Sequence, residues 1–162
     1  MKRYTTLTRC ALLTAMALII SLLENFIPIP VPGVKLGIAN AVSLYLLLYH
    51  RPSEAFAVLT ARLLLAALIS GNPSALLYSA AGGLLALTVC WLMHKTKFFS
   101  PIGLSVAGAA LHHVGQLICA ALITGSTSVI AYLPVMLLCS LVTGSITGLL
   151  CILIYKRIKI SR

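Results

Sequence analysis

The chain has 162 residues, of which 60% are hydrophobic and 9% charged; a soluble domain carries about 25% charged residues, so too little polar surface exists here to face water. Its net charge of +10 comes from twelve Lys and Arg against two acidic residues. The basic residues sit at the ends of apolar runs with no aromatic RNA-binding motif among them, which argues against nucleic acid and for anionic lipid and membrane orientation.

A spanning helix needs about 20 apolar residues, and six such helices with short connections use up the whole chain. The expected architecture is therefore an all-α, polytopic membrane bundle of six helices, forming a single transmembrane domain over residues 1–162. No room is left for an ATPase, kinase or hydrolase module, which must sit on other polypeptides. Segment one is predicted from about Leu7 to Ile27, stopped by Pro28. Its basic start resembles a signal peptide, but Glu24, Asn25 and Phe26 follow where a small-x-small cleavage site would be needed, so a retained helix is expected. Pro28, Pro30, Pro32 and Gly33 shape the next loop, which ends at Lys35.

Segment two is short, from about Leu36 to Tyr49, and stops at His50, Arg51 and Pro52. Segment three starts near Ser53, a plausible N-cap followed by Glu54, and runs to Ser70. Gly71, Asn72 and Pro73 mark a tight turn before segment four, Ser74 to Met93. A basic loop, His94 to Ser100, leads to segment five, Pro101 to Thr124. After Gly125, Ser126 and Thr127, segment six covers Ser128 to Tyr155; its length implies tilt or an interfacial start.

With the N-terminus in the cytoplasm, six passes put Lys2, Arg3, Arg9, Arg51, Lys95, Lys97, Lys156, Arg157, Lys159 and Arg162 on the cytoplasmic side. Lys35 alone lies on the far side, and Arg62 falls inside a span. This asymmetry predicts a multi-pass protein of the plasma membrane with both termini cytoplasmic.

The informative residues are those that cost energy in lipid. A charge at the centre of a span costs about 2.5–3.5 kcal/mol on the insertion scale. Arg62 is such a charge; either backbone carbonyls satisfy it or it contacts a ligand in a cavity. Glu24 and Asn25 end segment one, and they are either solvated, with a weak Glu24–Lys35 pair, or part of a loop closing over a site. In segment five, His112 and Gln116 share a helix face at i and i+4, and His113 points about 100° away. Interhelical hydrogen bonding and ligand contact both account for them. Adjacent histidines with no carboxylate nearby are poorly spaced for one metal ion, so no metal or cofactor is expected. The five cysteines lie in or beside apolar runs with no C-x-x-C spacing and are expected to be buried small hydrophobes. Gly82-Gly83 and Gly144-x-x-x-Gly148 are expected to pack helices within the monomer, whereas Ala11-x-x-x-Ala15 on the first helix could dock a partner helix.

The string Pro32-Gly33-Val34-Lys35-Leu36-Gly37-Ile38-Ala39-Asn40 resembles the signature of the Gx transporter family, which also carries the label heptaprenyl diphosphate synthase component I. Leu77-Tyr78-Ser79 with Gly82-Gly83, Ile102-Gly103, Ser105 through Ala109, and His112 with Gly115-Gln116-Leu117 add to it. Tyr132-Leu133-Pro134 and Thr143-Gly144 extend the similarity over nearly the whole chain. His113 departs from the pattern, which has Asn there.

The resemblance implies the substrate-binding S component of an energy-coupling-factor (ECF) transporter. Such components are six-helix membrane proteins without their own ATPase. They bind a vitamin-like molecule, here a flavin or quinone precursor, under the loop joining the first two helices. They dock a membrane coupling subunit, itself joined to ATPase subunits, through an Ala-x-x-x-Ala stripe that Ala11 and Ala15 match. The substrate contacts expected on this basis, together with the polar residues above, are Lys35, Asn40, Arg62, Tyr78, His112 and Gln116. The alternative is a non-catalytic membrane accessory subunit of heptaprenyl diphosphate synthase. An enzyme in its own right is not expected. Prenyl diphosphate synthases hold Mg²⁺ on carboxylates; this chain has no Asp, and its two Glu fall on opposite membrane sides.

Overall fold

A computed structural model of the chain describes residues 2–27 and 37–160. These form six α-helices and, among the described residues, no strand. The helices are α1 (Lys2–Leu23), α2 (Asn40–Tyr49), α3 (Pro52–Ser70), α4 (Pro73–Lys95), α5 (Pro101–Thr124) and α6 (Leu133–Ile160). Short 3-10 turns follow α1 at Glu24–Phe26 and precede α6 at Thr127–Tyr132. The loop from Pro28 to Lys35, and with it Lys35 itself, lies outside the described residues.

The breakers set the helix boundaries. α3, α4 and α5 each open on a proline, whose missing N–H is no loss in the first turn. Asn72 and Ser100 cap α4 and α5 by accepting from the backbone N–H of Ala75 and Gly103. Gly71 and Gly125 close α3 and α5 at φ of 61° and 64°, the left-handed conformation that suits glycine.

Five helices are long and apolar enough to cross a membrane; α2 is the shorter exception. With ten residues it rises about 15 Å, half the roughly 30 Å of a hydrocarbon core. The sequence pattern carries segment two back to Leu36, but α2 begins at Asn40. Gly37, at φ +81°, turns the chain, and its carbonyl accepts the Asn40 N–H at 3.0 Å. The chain still crosses the bundle here: Ala39 is bonded to Glu24 at the far end of α1, and Glu54, just past α2, is bonded to Arg9 near its start.

The long helices pack in the order α1–α3–α4–α5–α6, and α2 touches all five. α1 and α6 make no contact among the described residues. The bundle is thus an incomplete ring around a short central helix, with a seam between α1 and α6. α2 is buried on every side, from Ser43 to Leu47, as a central helix must be.

Glycine brings the backbones of α4, α5 and α6 close. A Cβ at Gly82 of α4 would lie 2.5 Å from the His112 carbonyl oxygen of α5, and one at Gly115 would lie 2.9 Å from the Ala81 carbonyl oxygen. Gly144 and Gly148 of α6 meet Val106 and Ile102 of α5 in the same way, so these pairs do pack within the monomer. A Ser105–Thr147 hydroxyl bond of 2.7 Å joins α5 to α6 beside them. Outside, Leu64, Leu68, Leu122 and Val142 are exposed, while inside Arg62, His112, His113 and Gln116 are buried. An apolar exterior around a partly polar interior is the arrangement that lipid demands.

Candidate functional site

One hydrogen-bonded chain crosses the middle of the bundle. Arg62 Nη2 on α3 donates to Asn40 Oδ1 on α2 at 2.8 Å, and Asn40 Nδ2 donates to His112 Nδ1 on α5, also at 2.8 Å. Because Nδ1 accepts, the ring proton of His112 sits on Nε2. That edge of the ring faces Gly37: a Cβ there would lie 2.7 Å from His112 Cδ2 and 3.1 Å from Nε2. Gly37 is therefore required twice, for its positive φ and for the imidazole packed against it.

Gln116, one turn beyond His112 and fully buried, faces Gly82 with it; a Cβ at Gly82 would meet Gln116 Cγ and His112 Nδ1, each at 2.8 Å. Asn40, Arg62, His112 and Gln116 are thus brought together as one set. Tyr78 lies one turn from Gly82 on α4 and is buried, but forms no hydrogen bond with this set among the described residues. His113 is wholly buried, its ring tilted 59° from that of His112, with the Gln116 amide as its polar neighbour. No three His, Cys, Asp or Glu side chains converge to hold a metal ion among the described residues.

Glu24 differs from expectation. It is 3% exposed, not solvated at the interface, and its Oε1 accepts the backbone N–H of Ala39 at 3.1 Å. Its carboxylate also acts electrostatically on Arg62. The signal was present in the sequence, since a charge within a span needs a counter-charge and Glu24 is the carboxylate on that half of the chain. The Glu24–Lys35 pair expected from nearness in sequence involves a residue outside the described ones. Arg62 is 3% exposed, and its Nε has no hydrogen-bond partner among the described residues.

Beneath Gly37 and Asn40 lies a cavity of about 40 Å³, walled by small residues that include Gly83, Ala86, Gly108 and Ala109. The buried Ser43 hydroxyl lines it with no hydrogen-bond partner among the described residues. This volume suits a few waters, since one needs about 10–15 Å³. Ser43 went unnoticed in the sequence because a serine in an apolar run more often bonds its own helix.

At the basic end, Glu54 pairs with Arg9 at 2.5 Å, in the first turn of α3. On α1, Thr14, Ala17 and Ser21 are buried, whereas Ala11 and Ala15 are exposed. The small-residue stripe consequently faces outward and does not pack inside the monomer.

Residues 13–154 match the family described as heptaprenyl diphosphate synthase component I. The chain belongs to that family. The match takes in α2 to α5 whole, the second half of α1 and most of α6, and so includes Asn40, Arg62, His112 and Gln116. No curated protein and no solved structure matches the chain.

Proposed function

We propose that this protein is a membrane component that binds a small molecule and works through partner chains, as the S component of an ECF-type transporter does. The observation that carries the reading is the Arg62–Asn40–His112 chain, which ties three helices together beside Gly37. Polar groups in a span persist when they are satisfied or used. Here Asn40 remains partly exposed and the Arg62 Nε is unsatisfied, so the chain can still accept a ligand's hydrogen-bonding groups. Lys35 and, from α4, Tyr78 would complete the contacts. The outward-facing Ala11 and Ala15 supply a smooth surface for a coupling subunit carrying the ATPases, in a plasma membrane with both termini cytoplasmic.

The test has two stages. Mass spectrometry of small molecules that co-purify with the protein identifies the ligand, with flavins and quinone precursors as the expected classes. Gln116→Ala and Lys35→Ala are then expected to weaken it roughly ten- to a hundredfold, as for loss of a hydrogen bond to a charged or buried group. Parental affinity in both folded variants would show that these residues only pack.

The family description favours a second reading, a non-catalytic membrane subunit of a heptaprenyl diphosphate synthase. A catalytic role is opposed by the carboxylates. Glu24 and Glu54 are engaged at the two ends of the bundle, about 22 Å apart by the rise of α1 between Arg9 and Glu24. The purified chain with Mg²⁺ is expected to form no prenyl product. Co-purification with a carboxylate-rich synthase would favour this reading over transport.

A further inference from the structure

The seam between α1 and α6 holds a groove of about 480 Å³ with a wholly apolar wall. Leu13, Met16 and Ile20 of α1 form one side, Leu150 and Ile154 of α6 the other, and Val42 of α2 the floor. On α1 it extends from Arg9 to Ile20, about 16 Å of helix rise. Ala11 and Ala15 do not line it, so the groove and the small-residue stripe are separate faces.

What singles the groove out is its basic end. Arg9 borders it and also borders an open polar depression of about 970 Å³, lined by His50, Arg51, Ser53 and Glu54 among others. Arg9 places one guanidinium nitrogen on Glu54, while its buried Nε has no hydrogen-bond partner. Arg51 is exposed. The apolar groove and the depression thus meet at Arg9, and the depression holds Arg9, Arg51 and the carboxylate of Glu54.

We propose that this seam binds a polyprenyl diphosphate, with the chain in the α1–α6 groove and the diphosphate against Arg9 and Arg51. A partner helix would find no use for the arginines at the groove's end, and a phospholipid brings two chains to a single groove. At about 30 Å³ per non-hydrogen atom, the volume of a water in the liquid, 480 Å³ takes roughly sixteen atoms, or three isoprene units. Arginine matches the diphosphate oxygens with paired donors. The ligand enters sideways from the bilayer because the ring of helices is open there. This inference rests on the second reading above, in which a synthase delivers such a product.

The experiment measures binding of radiolabelled farnesyl diphosphate to the full chain in phosphatidylcholine nanodiscs. Saturable binding is expected, weakened roughly ten- to a hundredfold by Arg9→Gln and at least as strongly by Met16→Trp, which fills the groove without touching a charge. Leu122→Trp, on the lipid-facing side of α5, should bind like the parent. Excess phosphatidylglycerol should not displace the ligand. Absence of saturable binding, parental affinity in Met16→Trp, or displacement by phosphatidylglycerol overturns the proposal. Co-purification with a synthase is scored separately: binding without a synthase supports the groove and removes the accessory reading, and a synthase without binding removes the groove alone.

Discussion

Replacing Glu24 with Gln removes a charge but keeps an oxygen where Oε1 accepts the Ala39 N–H at 3.1 Å. What the change removes is the charge that acts electrostatically on Arg62, itself 3% exposed. Glu24→Gln should cost about 1–3 kcal/mol, the scale of a favourable interaction lost by a buried charged group. In an Arg62→Met background the same change should cost less, because the interaction with Arg62 is then already gone. The assay is a double-mutant cycle on unfolding in mixed micelles, followed by helicity. Additivity of the two changes within about 0.5 kcal/mol would refute the coupling and leave Glu24 as a backbone cap alone.

Gly82→Ala should cost about 1–3 kcal/mol in the same assay by forcing α4 from α5, and more than Gly103→Ala, whose Cβ would meet nothing closer than the Ser100 hydroxyl at 3.3 Å. Reporter fusions at Arg162 and at Asn72 should report opposite sides of the membrane, and the same side for both would sink the six-pass threading. Ala11→Trp and Ala15→Trp should abolish co-purification with a coupling subunit while leaving small-molecule binding intact; an unchanged complex in both would show that the exposed stripe is only lipid-facing.

The helices were legible where the chain punctuates itself. Proline at the start of α3, α4 and α5 and glycine at the end of α3 and α5 fix boundaries by local stereochemistry. Hydropathy alone overextended α2, because Leu36 to Ala39 is as apolar as a helix while Gly37 turns the backbone within it. The long sixth segment divides into the 3-10 turn Thr127–Tyr132 and α6. Within the site, sequence spacing united His112 with Gln116, which share one helix. It could not supply the Arg62–Asn40–His112 register, which depends on how far α2 slides between α3 and α5. Glu24 shows the same limit: its partners, Ala39 and Arg62, come from two other elements.

The short central helix also dictates an order of assembly. α2 leaves the ribosome before α3, α4, α5 and α6, four of the five helices that enclose it. At about 15 Å it cannot hold a transmembrane position by its own hydrophobicity, and in lipid its terminal N–H and C=O groups would find no water. The second segment therefore cannot settle while it is being made and has to wait at the membrane surface or beside the insertion machinery. α4, α5 and α6, consecutive and joined through glycine, can meanwhile pack as they emerge. The half of the protein made last becomes the mould into which the second helix is finally drawn.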